Sequence, residues 1–153
     1  MTIQEIDAGL PNGLHDAELL RIDIDYTQRK LVLSLDVWVG ALSGDIKKRE
    51  AYRKARIEVR GLQFAAIEPP DANYPYSDPV PSRIDICDLR KNLDENLLKS
   101  LPSETFFNSL WVNKWNAFAH IAAVEAELVW EDDKATYRAH REHYLPGEMI
   151  EQQ

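Results

Sequence analysis

A chain of 153 residues has the size of one domain, able to bury a core without metal or disulfide support. Its 44% hydrophobic and 29% charged residues are those of a soluble globular protein, which sets aside fibrous, disordered and membrane-spanning classes. With 18 basic against 26 acidic residues the formal net charge is −8, so a phosphate backbone is repelled overall and no nucleic-acid partner is expected.

The amino terminus, "MTIQEIDAGLPNG", has neither the basic start nor the continuous apolar run of a signal peptide. No stretch approaches the apolar length of a membrane span. The single cysteine, Cys87, cannot form an internal disulfide. A cytoplasmic protein with no membrane partner is the resulting expectation.

"NGLHDAELLRIDIDY", residues 12–26, leads into strict period-two alternation. Leu20, Ile22 and Ile24 fall on one face, with Arg21, Asp23 and Asp25 on the other. After the polar "YTQRK", residues Leu31, Leu33, Leu35, Val37 and Val39 repeat the pattern. Two such runs joined by a short turn predict an antiparallel hairpin with one buried face. "GALSGDIKKREAY" breaks the alternation as a loop or short helix. "KARIEVRGLQFAAIE" resumes it as a third strand, with Ile57 and Val59 inward and Gly61 placed for a bulge. Residues 68–82 hold five of the eight prolines and are expected to form a long loop, since each proline removes a donor and fixes φ.

"SRIDICDL" reads as a short strand with Ile84 and Ile86 inward, and "RKNLDENLLKSLP" as a brief helix or turn stopped before Pro102. Residues 104–130 fit either a helix or two strands turning at "NKWN"; the two-strand reading is preferred, with Ala126, Leu128 and Trp130 inward. "DDKATYRAHREHYLPGE" suggests a capped helix closing at Pro146–Gly147 or a weakly ordered tail, and residues 145–153 are expected as a disordered tail. The expected fold is α+β, mainly antiparallel β, a hairpin-built sheet or sandwich with one or two short helices. A single domain over residues 1–153 is expected.

His15, Asp16 and Glu18 are the first candidates for chemistry. Neighbours on a strand point to opposite faces, so His15 and Asp16 converge only if they lie in the turn before it. An architectural role is the expectation there. His140 and His143 form H-x-x-H without the H-E-x-x-H spacing or a third ligand, so neither a metal nor any other cofactor is expected. His120 lies in an apolar run, where a hydrogen-bonded core histidine is the commoner case. Nucleophile elbows, phosphate loops and dinucleotide fingerprints are missing, and no catalytic residue is assigned. Seven basic residues (Lys47, Lys48, Arg49, Arg53, Lys54, Arg56, Arg60) face three acidic ones between Asp45 and Arg60, either a ligand patch or a face neutralised by the fold.

Aromatics on polar surfaces are interface candidates. Trp38 lies on the polar face of its strand, Tyr74 and Tyr76 lie in the proline-rich loop, and Trp111 and Trp115 flank the "VNK" turn. With His15 and Asp16 these form the candidate binding set. For each, packing within the domain itself is the alternative.

"LHDAELLRIDIDY" running into "KLVLSLDVWV", with "VNKWNAFAHIAAVEAELVW" near the carboxyl end, resembles a group of small, largely uncharacterised bacterial domains. Some of these look like the immunity proteins that accompany polymorphic toxins. The likeness covers about a third of the chain and rests on short, fold-related motifs. It implies a binding domain and brings no reaction with it. The expectation is a non-catalytic acidic domain that binds a protein, either a cationic toxin or a second copy of itself. An enzyme with a pocket near His15 and Asp16, or a self-associating structural domain, is the alternative.

Overall fold

The computed structural model describes residues 1–41, 43, 45, 48–73, 82–87 and 94–138. It is mainly antiparallel sheet with two short helices, in agreement with the expected α+β class. In chain order come α1 (Ile3–Gly9), β1 (Ala17–Asp25), β2 (Lys30–Trp38), β3 (Ala51–Arg60), β4 (Phe64–Ile67) and β5 (Ser82–Cys87). Then follow α2 (Glu95–Ser100), β6 (Phe106–Val112), a 3₁₀ turn (Asn113–Trp115), β7 (Ala117–Ala123), β8 (Glu125–Trp130) and β9 (Thr136–Tyr137). Among the described residues no helix is long and apolar enough to cross a membrane.

Among the described residues nine strands form one sheet in the order β4-β7-β6-β5-β1-β2-β3-β8, with β9 beside β3. Every pairing is antiparallel. The two ends of this order meet through the chain itself. β3 continues through Gly61 into β4, and β7 continues through Val124 into β8. Because β3 pairs with β8 and β4 pairs with β7, two long bent strands lie side by side and the sheet closes on itself. At the bend Val124 N–H donates to the Arg60 carbonyl at 3.2 Å, and Gln63 N–H to the Ala122 carbonyl at 2.8 Å. Gly61 has φ +64, and a Cβ there would stand 2.9 Å from Val124 Cβ, so the bend needs glycine on both counts.

The inner face carries the core: Leu31, Leu33, Leu35 and Val37 from β2, Ile57 and Val59 from β3, Leu110 and Val112 from β6, and Ala119 and Ile121 from β7. α1 adds Ile3 and Ile6 to it. The helix starts in a capping box: Thr2 Oγ1 accepts from Glu5 N–H and Glu5 accepts from Thr2 N–H. "TIQE" is its signature in the sequence.

The expected hairpin is β1–β2. Its inward set differs at one residue. The register shifts between Leu19 and Arg21, so Leu19 is 7% exposed and Leu20 42%. The extra residue of a bulge is left out of the ladder, and here Leu20 is that residue while Ala17 and Leu19 take the inner positions. Residues 104–130 form two strands and a bend, as preferred, with Asn116 in the left-handed conformation at the "NKWN" turn. Of the segment expected as a helix or a tail, the part up to Arg138 is not helical: Thr136 and Tyr137 are extended against Tyr52 and Ala51 of β3. An available strand partner outweighs weak helical propensity there. Most of the proline-rich loop and residues 139–153 lie outside the described residues.

Candidate functional site

The outer face of β5, β1, β2 and β3 gathers a row of charged side chains, and His15 stands at its edge. Residues 11–16 form a turn held by three contacts. Asp7 Oδ1 accepts from Leu14 N–H at 2.6 Å, and Asn12 Nδ2 donates to the carbonyls of Trp38 and Gly40 at 3.2 and 2.7 Å. Asp16 has φ +60, a left-handed conformation that aspartate tolerates. The turn therefore brings together what a strand would separate. His15 Nε2 lies 3.4 Å from Asp16 Oδ2, and Nδ1 lies 3.0 Å from Asp85 Oδ2 on β5. Asp16 Oδ1 stands 3.6 Å from Arg83 Nη1. The His15 side chain is 61% exposed, so this group is a surface ion cluster.

The next members of the row lie deeper. Glu18 sits opposite Arg83 on one side and Asp36 on the other. Arg138, just past β9, reaches across and closes on both carboxylates. Its Nη1 donates to Glu18 Oε2 at 2.6 Å and its Nη2 to Asp36 Oδ2 at 2.5 Å. The guanidinium lies 4.3 Å over the Tyr52 ring. Lys54 Nζ stands 3.6 Å from the other Asp36 oxygen. Tyr52 O–H donates to Glu50 Oε2 at 3.2 Å, and the buried Glu50 Oε1 has no hydrogen-bond partner. Burial, followed by the charge of Glu50, pushes the Tyr52 hydroxyl far above its ordinary value. The phenol therefore stays neutral and remains a donor. Two carboxylates with an aromatic floor form a notch matched to a guanidinium, and here the chain's own Arg138 fills it.

Trp38 borders the notch through its pairing with Tyr52. It is on the outer face, as its parity requires, yet only 4% exposed. Its Nε1–H donates to the Arg49 carbonyl at 2.7 Å, so the chain between β2 and β3 covers it. That cover demands Gly40, where a Cβ would fall 1.6 Å from the Arg49 carbonyl oxygen.

Trp111 lies half-buried on the outer face of β6, opposite Asp85 and Phe118. Trp115, in the 3₁₀ turn, packs against the core, and its carbonyl accepts Asp71 N–H at 2.8 Å. Tyr74, Tyr76, His140 and His143 lie outside the described residues. Among the described residues no three metal-ligating side chains cluster. Of the basic run, Lys54, Arg56 and Arg60 are met by acids. Arg56 pairs with Glu58 and Glu131 at 2.7 and 3.1 Å, and Arg60 pairs with Glu58 and Glu127 at 3.2 and 3.0 Å.

A second polar group was not legible as such. Ser109 and His120 face each other across β6 and β7, with Ser109 Oγ 2.7 Å from His120 Nδ1. His120 Nε2 lies 2.9 Å from Glu68 Oε1, and Glu68 Oε2 accepts Phe118 N–H at 2.9 Å. One proton arrangement satisfies all three groups: the serine hydroxyl donates to Nδ1, and Nε2–H donates to the carboxylate. The hydrogen bond from His120, then that from Phe118, holds Glu68 below the usual carboxylate range. The order serine–histidine–glutamate is that of a nucleophile and its base. Ser109 nevertheless has no exposed surface, so its oxygen cannot meet a substrate carbonyl. It forms a satisfied, closed network, in which His120 is hydrogen-bonded as expected but lies partly exposed on the outer face and not in the core. Given the "NKWN" turn, hairpin register alone would have set Ser109 opposite His120; Glu68 carried no such signal. Cys87, on β5, has its thiol pushed up by burial and next by Asp85, which suits a packing residue better than a reactive one.

No protein family, no curated protein and no solved structure matches this chain.

Proposed function

We propose that this chain is a non-catalytic, acidic binding domain for a basic protein partner, and in its sharpest form an immunity-type inhibitor of a cationic bacterial toxin. The observation that supports the reading most is the notch of Glu18, Asp36 and Tyr52, which already grips a guanidinium. A surface able to seat arginine in this way, on a chain of net charge −8, suits a partner rich in arginine. The half-exposed carboxylates Asp85, beside His15, and Asp23, paired with Arg21, lie on the strands that flank it and add to the acidic field that would steer such a partner. The buried oxygen of Ser109 argues in the same direction, because it leaves a nucleophile-like arrangement among the described residues unusable.

The test is co-expression with a basic toxin domain encoded beside the gene, reading host survival, together with calorimetric titration of the purified pair. Protection is expected, with affinity falling as salt rises, and Asp85→Lys combined with Asp23→Lys is expected to slow association at least tenfold. Unprotected hosts and no heat of binding at low salt would overturn the reading.

A further inference from the structure

Away from the charged row, a cavity of about 530 Å³ opens between α1 and the inner face of β3 and β8. Its wall is apolar: Ile6 and Leu10 from the helix and the residue following it, Val39 from the end of β2, and Leu128 and Trp130 from β8. Four of these, Leu10, Val39, Leu128 and Trp130, are only partly buried although they pack against the core. Apolar surface is thus left facing an open space where sheet and helix could have closed. The volume lies within the range of small-ligand sites, about 300–1,000 Å³.

Among the described residues Arg53 is the one charged side chain in this lining, which Met1 also joins. Arg53 is stacked 4.1 Å over the Trp130 ring, and its Nε and Nη2 both donate to the Asp132 carbonyl, at 3.2 and 2.6 Å. These contacts hold the guanidinium in place with a neutral acceptor. Among the described residues no carboxylate pairs with it, in contrast to Arg56, Arg60 and Arg138. An immobilised charge that lacks a counter-ion, beside an apolar wall, has a definite complement.

We infer that this cavity is a binding site for a small apolar carboxylate, its hydrocarbon part against Leu128, Val39 and Ile6 and its carboxylate on Arg53. The hydrocarbon gains by leaving water, and the acid gains a charge-assisted hydrogen bond from a donor already oriented. A neutral ligand of the same length gains only the first, and an ammonium ligand meets Arg53 as a like charge. The site is independent of the protein partner proposed above, since it uses none of the residues of the acidic row.

Octanoate, 1-octanol and octylammonium, titrated calorimetrically into the intact chain, test this without any variant. Octanoate is expected to bind at least about fivefold more tightly than octanol, the increment of one charge-assisted hydrogen bond. Octylammonium is expected not to bind. Arg53→Met should erase the preference for the acid, and Arg53→Lys should keep part of it. Gly9 lines the cavity, and a Cβ there meets nothing within 4 Å, so Gly9→Leu should weaken both octanoate and octanol without disturbing the fold. No heat with millimolar octanoate, equal binding of acid and alcohol, or an unchanged preference in folded Arg53→Met would each overturn the inference.

Discussion

Replacing Arg138 by alanine tests whether the charged row holds the fold together or only decorates it. The change removes two charge-assisted bonds and leaves Glu18 and Asp36 in place, side chains that are 13% and 8% exposed. Removing one partner of a fully buried pair costs about 3–5 kcal/mol, and removing an exposed pair costs about 0–1. Two features place this case between those limits. Arg138 is itself 32% exposed, and Lys54 remains 3.6 Å from Asp36 as a partial counter-charge. The loss of stacking on Tyr52 adds a little. The expected cost is about 2–3 kcal/mol, or a fall of roughly 5–10 °C in Tm for a domain of this length. Urea unfolding followed by tryptophan fluorescence measures it, with the slope unchanged if only stability has altered. The triple variant Glu18→Gln, Asp36→Asn, Arg138→Met removes the stranded charges and should regain at least about half of the loss, because the penalty lies in uncompensated carboxylates. A loss below about 0.5 kcal/mol for Arg138→Ala would refute the reasoning, since it would make the clamp an ordinary surface pair.

Three other outcomes follow from the same contacts. Glu68 titrates below its unfolded value in the folded chain, so its contribution is fully present above the unfolded carboxylate pKa, about 4.3, and is lost as pH falls through the lower folded value. Glu68→Gln should therefore flatten the acid limb of the stability curve between about pH 5 and pH 3, and an unchanged limb would show that the His120 bond does not set it. Gly40→Ala forces a Cβ into the Arg49 carbonyl and should cost about 2–3 kcal/mol, with a red-shifted fluorescence maximum as Trp38 loses its cover. Leu33→Ala, at a fully buried inner position, should cost about 3–4 kcal/mol by chemical denaturation, and a cost under 1 would mean that the core is elsewhere.

Alternation of apolar and polar residues is a local property, and whatever depends on it was legible before the fold was known. Leu31 to Val37 turned inward as their spacing required, Ile57 and Val59 did the same, and Trp38 fell on the outer face. The turn at Asn113–Asn116 followed from its residue types, whereas Gly61, expected as a bulge within one strand, instead bends the chain from β3 into β4. Leu20 escapes the alternation, because one bulged residue changes the parity and only pairing with β2 reveals it.

The tertiary structure decided which strands are neighbours, and with that every contact of functional interest. Arg138 meets Glu18 and Asp36 across more than a hundred residues, because β9 lies beside β3, and β3 beside β2. Trp38, exposed by its parity, is covered because the chain between β2 and β3 folds back onto it. His15 and Asp16 gather with Asp85 because a left-handed residue bends the turn toward β5. Periodicity specifies which way a side chain points and says nothing of what waits there. That second fact is a matter of strand order, and strand order comes from burying all the inward faces at once.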